Sequence, residues 1–322
     1  MTDPTIKVEP SVGRDSDGLW AITTYFNPMR YRRRRANYDQ FRKQLKAPLL
    51  TVELAYGTDY DLRNDEDADI LIQLRARDIL WQKERLLNLA LRVLPSSCRN
   101  VVCVDCDVVF ESTDWMERTN RLLDDFLLVQ PFSHLHRMPP DWMPSMKRPA
   151  SAEVLHTPAF LLQTGMPLAT CLGTPAEQLK CSTGSAWAAS RAFLNRHLFY
   201  DACIVGGGDS AFVRAAYGSF EDAIRLQLMN ERRREHFMAW AGPFHAAVRA
   251  NVAFVEGNLL HLWHGTPQDR RYRNRNEGLE PFQFDPYTDI AIDDTGAWRW
   301  NSDKPAMHDY VRGYFTSRRE DG

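Results

Sequence analysis

The sequence predicts an α/β fold in which helices flank an open sheet, and three stretches carry that expectation. Residues 101–110 (Val-Val-Cys-Val-Asp-Cys-Asp-Val-Val-Phe) are a β-branched apolar run bounded by Ser96, Ser97 and Asn100 on one side and Ser112 and Thr113 on the other, which reads as a buried strand. Residues 19–26 read as a first strand stopped by Asn27-Pro28, and Tyr31, Tyr38, Phe41 and Leu45 recur after it at helical spacing. A strand, a tight turn and a helix in this order open a nucleotide-binding unit. Residues 77–91 are a strong helix former, with Asp78 near the start and Pro95 beyond the end, and they feed directly into the valine-rich run.

Taken in order, residues 1–18 form an arm rich in Pro, Gly and charge. Residues 49–56 read as a second strand closed by Gly57, an acidic loop follows at 59–69, and residues 70–74 read as a short third strand. After the valine-rich run, 115–125 reads as helix and 126–131 as strand. Residues 132–180 lose all periodicity among many prolines, which predicts a long loop or lid. Small residues return at 181–191, a glycine run leads into a helix start at 204–212, and residues 251–256 read as a strand. The resulting division is a main domain at 19–280, with a nucleotide-binding half at 19–131 and a second half at 181–280. A short segment at 281–322, carrying Trp298, Trp300 and Phe315, packs on the body.

Composition narrows the classes. A chain of 322 residues, 44% hydrophobic and 25% charged, is ordinary globular material. The formal charge of −2 argues against wholesale nucleic-acid binding, although the arginines at 30–35 and 270–275 can each hold a local anion such as a nucleotide phosphate. Six cysteines lie without a zinc spacing and read as reduced thiols. The amino terminus has no apolar core of a signal, and no segment reaches the roughly eighteen apolar residues of a membrane span. The expected location is therefore the cytoplasm, with peripheral membrane contact left open.

Chemistry concentrates in a few places. If the valine-rich strand ends near Asp105, both Asp105 and Asp107 leave its carboxyl edge, where open α/β sheets bind ligands. Two hard oxygen donors there suit Mg²⁺ or Mn²⁺, and such an ion suits a substrate diphosphate; the alternative is a pair that merely caps a loop. The turn at Asn27 together with Arg30 is placed to meet phosphate, whereas most of Arg32 to Arg35 read as a solvated helix face. On the 77–91 helix, Trp81, Glu84, Asn88 and Leu91 share one stripe, so polar and large apolar groups conflict there. Lys83 and Asn88 are donor-side candidates from this helix, the alternative being an Asn hydrogen-bonded in the core and a solvated lysine. Gly184 and Trp187, with Gly207 and Gly208, lie where backbone can approach a ligand closely, and Asp209 after them is a candidate general base or a plain helix cap. His261 and His264 can ligate one ion if the backbone turns between them. Beyond them, Arg271 and Arg275 are candidates to clamp a diphosphate.

The order of these pieces over roughly residues 19–275 resembles a glycosyltransferase of the GT-A fold, which implies a Rossmann-like nucleotide-binding mixed sheet flanked by helices, and is similar to the β-1,4-galactosyltransferase family and its bacterial family 2-like relatives. Lys83 to Leu91 followed by 101–110 resembles that family's helix leading to an Asp-x-Asp strand. Residues 184–212 resemble its Gly-Gly-acid segment on the acceptor side, and His261 and His264 sit where it places two metal ligands three residues apart. The resemblance implies that Asp107, His264 and His261 hold Mn²⁺ or Mg²⁺, with Asp105 on the metal or the donor ribose. It implies transfer of a sugar from a nucleoside diphosphate sugar, a UDP-sugar by preference, to a hydroxyl of a glycan or other acceptor, leaning towards inversion. One departure bears on the base: the family carries further acids after the Gly-Gly-acid, whereas Ser210 follows Asp209 here, so either Asp209 takes that role or the chemistry differs. Two other classes stay open. A sugar nucleotidyltransferase would need a glycine-rich basic signature that the Asn27-Pro28 turn lacks, and a non-catalytic sugar-nucleotide or glycan-binding module would keep the pocket without the base.

Overall fold

The computed structural model describes residues 18–173, 181–270 and 274–322. Among them the strands are β1 (Leu19–Phe26), β2 (Leu49–Ala55), β3 (Ile70–Arg75), β4 (Asn100–Val104), β5 (Val108–Phe110), β6 (Leu128–Gln130), β7 (His134–Arg137), β8 (Glu153–His156), β9 (Ala186–Ser190), β10 (Val252–Phe254), β11 (Asn258–His261), β12 (Ile290–Ile292) and β13 (Trp298–Trp300). Seven of them build a central sheet in the order β3-β2-β1-β4-β9-β6-β10. It is parallel except for β9, which runs against both β4 and β6. The expected class, a Rossmann-like mixed sheet flanked by helices, is thus what the chain adopts.

Burial explains why the central strands read as continuous apolar runs. Every residue of β1 and β2 is buried, because helices cover both sheet faces. The two-residue alternation sorts their side chains: Ile22, Val101 and Cys103 join Leu86, Leu87 and Leu91 of the helix Lys83–Val93 on one face. Ala21, Val102 and Val104 join Tyr38 and Phe41 of the helix Arg32–Gln44 on the other.

Residues 101–110 are not one strand. The central-sheet strand stops at Val104, Asp105 to Asp107 turn away, and Val108–Phe110 enters a second sheet of order β5-β11-β7-β8. Antiparallel pairing of β5 with β11 sets Val108 opposite His261, and the Leu262 amide donates to the Asp107 carbonyl at 2.8 Å. That register brings distant histidines to the aspartate turn. The stretch expected to be an aperiodic lid instead holds β7, β8 and two short helices, Pro158–Gln163 and Leu168–Leu172, up to residue 173. Strands of four residues interrupted by prolines are too short to show a period. The segment after 281 carries the β12–β13 hairpin and the helix Pro305–Ser317, and the first seventeen residues of the arm lie outside the described residues. Among the described residues no helix is long and apolar enough to cross a membrane, and all six cysteines are free.

Candidate active site

A cleft of about 350 Å³ opens where β4 ends, between the central and second sheets, and it gathers most of the chemistry. Asp105 is pinned first: its amide donates to the Ser185 carbonyl at 2.8 Å, tying the end of β4 to the residues just before β9. From there the two aspartates diverge.

Asp107 faces the histidines. His264 Nε2 lies 3.0 Å from its Oδ2, His261 Nε2 lies 3.8 Å from Oδ1, and the two Nε2 atoms are 3.3 Å apart. Candidate ligand atoms of these three residues all fall within 4.8 Å of one another, the backbone having turned after β11 as the spacing requires. Two imidazole nitrogens aimed at each other and at one carboxylate suit a shared cation, because cis ligands at about 2.1 Å from an ion stand about 3 Å apart. Asp107 Oδ1 is buried and has no hydrogen-bond partner in the fold, which also suits a ligand atom. Burial works against ionisation of Asp107, yet His264, His261 and Arg270 together hold its carboxyl far below the usual range. Burial, with His264 and Arg270 nearby, keeps the His261 imidazole well below its ordinary pKa despite Asp107, so it is neutral and ready to ligate. The residues present therefore fit a divalent ion.

Asp105 faces the other way, which corrects its assignment as a metal ligand. Its Oδ1 is 2.6 Å from Lys83 Nζ, and Lys83 also holds both oxygens of Asp209 at 2.9 Å. Burial alone would depress the Lys83 ammonium, but Asp105, Asp209 and Glu84 raise it well above the lysine range. Burial pushes the Asp105 carboxyl up against the pull of Lys83, and Asp209 and Asp107 add to the push, to about 6. Lys83 thus bridges two carboxylates, Asp105 at the end of β4 and Asp209 in the first turn of the helix Gly208–Ala216.

The glycines have specific reasons. A Cβ on Gly184 would stand 2.6 Å from Asp209 Oδ2, and Gly207 (φ 105°) adopts a left-handed conformation as the cap of the helix Gly208–Ala216. Asp209 sits in the first turn of that helix, and no side chain caps it. Arg275 lies against Gly206 and Gly207 and donates to the Tyr314 hydroxyl at 3.1 Å, while Arg270 reaches the His264 carbonyl at 3.4 Å. Arg271 lies outside the described residues.

Two donor or acceptor assignments, Asn88 and Trp187, are corrected by the packing. Asn88 is buried and pairs with both backbone groups of Phe199, at 2.8 and 3.0 Å, and with Asp201 at 3.2 Å; it is a core amide, not a ligand contact. Asn88→Ala should therefore lower stability by roughly 1–3 kcal/mol for each group left unpaired, with nucleotide affinity unchanged. Thermal melting beside a nucleotide titration checks this. Trp187 is buried in β9 with its indole donating to the Thr183 carbonyl at 2.9 Å, and it touches a small enclosed space under the cleft instead of the cleft itself. Asn27 spends its amide on Tyr31 and Asp61, closing the turn. Arg30 lines a separate hollow of about 300 Å³ with Asn27, Glu53 and Asp61 at the carboxyl ends of β1 and β2.

Sequence reasoning passed over several cleft residues. Trp81 and Glu84, singled out only as part of the helical stripe of mixed polarity and given no role of their own, are its members that reach the cleft. Arg34 comes from the run read as solvated, and Arg318 from the far end of the chain. Burial first, then the charge of Asp209, pushes the Glu84 carboxyl up to about 8, so it carries a proton at neutral pH. The folded state then holds this proton more tightly than the unfolded chain. The associated stability is complete below about pH 4.5 and is lost as pH rises towards 8, at up to roughly 1.4 kcal/mol per pH unit. Wild type should lose more melting temperature between pH 5.5 and 8.5 than Glu84→Gln does; parallel losses would contradict it.

No protein-family model matches this sequence, and no curated protein matches it. Solved structures resemble it faintly. Glucosyl-3-phosphoglycerate synthase from Mycobacterium tuberculosis, in a complex with Mn²⁺, UDP and glucosyl-3-phosphoglycerate, is 13% identical with a TM-score of 0.42 over 81% of this chain and 78% of that one. S. aureus TarS (residues 1–349), in complex with UDP-GlcNAc, is 15% identical with a TM-score of 0.36 over 60% of this chain and 51% of that one. The 4-diphosphocytidyl-2C-methyl-D-erythritol synthase of Anaerococcus prevotii is 12% identical with a TM-score of 0.34 over 76% and 88%. Likeness this faint defines neither a substrate nor a reaction.

Proposed function

We propose that this chain is a metal-dependent glycosyltransferase that moves a sugar from a nucleoside diphosphate sugar, a UDP-sugar by preference, to an acceptor hydroxyl, with inversion. One observation carries the reading: Asp107, His261 and His264 converge in the same cleft that holds the Asp105–Lys83–Asp209 bridge, so a cation site and a fixed carboxylate face one cavity. Bound there, Mn²⁺ or Mg²⁺ supplies positive charge to the leaving diphosphate. Arg270 and Arg275, both on the cleft wall, add fixed positive charge for the same oxygens. Lys83 grips both oxygens of Asp209 and orients that carboxylate, which accepts the proton of the acceptor hydroxyl as its oxygen bonds to the anomeric carbon. The bond from that carbon to the diphosphate breaks in the same step, and the diphosphate leaves with its electron pair.

Incubating the full chain with a panel of nucleotide sugars and Mn²⁺, with and without chelator, should show release of nucleoside diphosphate that chelator suppresses. Binding of a nucleotide sugar with no release for any hydroxyl acceptor offered would favour a binding module, and release unaffected by chelator would remove the metal from the scheme. Asp209→Asn should cut transfer on the order of a hundredfold or more, in the range of general-base contributions, while leaving nucleotide binding near wild type.

A further inference from the structure

We propose that Glu320 is the positioning residue of the cation centre: a buried carboxylate from the carboxyl-terminal segment that holds His264 through Nδ1 and turns Nε2 towards Asp107 and His261. The inference rests on the centre named under Proposed function and adds a member that no ligand spacing announces.

Glu320 is 1% exposed, and both of its oxygens accept hydrogen bonds from arginine. Arg34 grips it with two parallel contacts of 3.0 Å, and Arg318 Nε donates to Oε1 at 2.7 Å. The same Oε1 lies 3.8 Å from His264 Nδ1, a buried nitrogen with no hydrogen-bond partner in the fold. A shift of under an ångström closes that gap to a hydrogen bond. A buried N–H without an acceptor is costly, and Glu320 is the ionised acceptor within reach. A carboxylate behind a ligating imidazole fixes the tautomer and the ring plane and raises the basicity of the nitrogen facing the ion.

The two arginines explain how a carboxylate can be held there at all. Arg34 stands on the helix Arg32–Gln44 beside β1, and Asp321 accepts from the Arg32 and Arg33 amides at the start of that helix, at 3.2 and 2.8 Å. The segment is thereby fastened at two successive residues and runs past the back of His264. Gly265, in a left-handed conformation, lets it pass, since a Cβ there would stand 2.6 Å from the Arg318 carbonyl.

The test measures Mn²⁺ affinity of the full chain from the paramagnetic resonance of the free ion, with far-UV circular dichroism and cooperative melting to certify the fold. Glu320→Gln should bind Mn²⁺ about 10–100-fold more weakly. Ring-nitrogen spectra of ¹⁵N-histidine chain with Mg²⁺ should show His264 protonated on Nδ1 in wild type and a tautomer mixture in the variant, a change that a purely structural role would not produce. A folded Glu320→Gln chain with wild-type Mn²⁺ affinity and an unchanged tautomer overturns the proposal. Should that variant not fold, Arg34→Met and Arg318→Met with Glu320→Leu replace the whole buried ion cluster by apolar groups, and wild-type affinity in that chain overturns it equally. Failure of wild type itself to bind Mn²⁺ would instead take down the cation centre and the function built on it.

Discussion

Asp107→Ala should abolish chelator-sensitive release of nucleoside diphosphate and lower the rate on the order of a hundredfold or more, while Asp105→Ala should keep a functioning cation site. The contrast follows from the turn after β4. Asp107 is the carboxylate that both imidazoles face, and without it His261 and His264 offer two ring nitrogens and no anionic oxygen, a set that holds a hard divalent ion poorly. Asp105 bonds to Lys83, so its loss frees one side of the ammonium and loosens Asp209. Its expected defect is therefore in transfer, not in cation affinity. Mn²⁺ titration of both variants, paired with diphosphate release with and without chelator, separates the two. Chelator-sensitive activity surviving in Asp107→Ala would sink the assignment, and loss of Mn²⁺ binding in Asp105→Ala would restore Asp105 to the centre.

Much of this was legible in the residues, and the remainder was hidden for identifiable reasons. The central strands declared themselves because helices bury both faces, which leaves Leu19–Phe26 and Asn100–Val104 almost wholly apolar. His261 and His264 could be read as partners because their spacing needs only one turn after a strand. Asp105 misled because an i, i+2 pair leaving a strand together looks like one bidentate offering, whereas the backbone turn gives one carboxylate to Lys83 and the other to the two histidines. Asn88 misled for a different reason: a polar group on an apolar stripe marks either a site or a satisfied core amide, and only the position of Phe199 decides. Trp81 and Glu84 on the same stripe are the members that reach the cleft. Arg34, Arg318 and Glu320 were illegible, since a buried ion cluster made from the two ends of the described chain leaves no local pattern in either.

Gly208→Ala should abolish nearly all transfer while leaving the cation site able to bind. A Cβ at that position would overlap the Glu84 carboxyl, its carbon and an oxygen lying well inside the 3.0 Å that real Cβ atoms respect. Glu84 has little room to yield: it is 5% exposed, on the helix Lys83–Val93 packed against β1 and β2. Relief must then come from moving the start of the helix Gly208–Ala216, which carries Asp209, or from driving Glu84 off the wall it shares with Lys83. Either shift breaks the geometry by which Lys83 holds Asp209 at 2.9 Å, and displacements near 1 Å at a reacting centre cost about a hundredfold in rate. Overpacking at this site should also cost about 1–3 kcal/mol of stability. Mn²⁺ binding should survive, because Asp107, His261 and His264 stand on β5, β11 and the turns beside them, away from the clash. The expected signature is thus a folded, less stable chain that still titrates Mn²⁺ and transfers almost nothing. A Gly208→Ala chain with near-normal transfer would mean that Asp209 does not need the position Lys83 gives it.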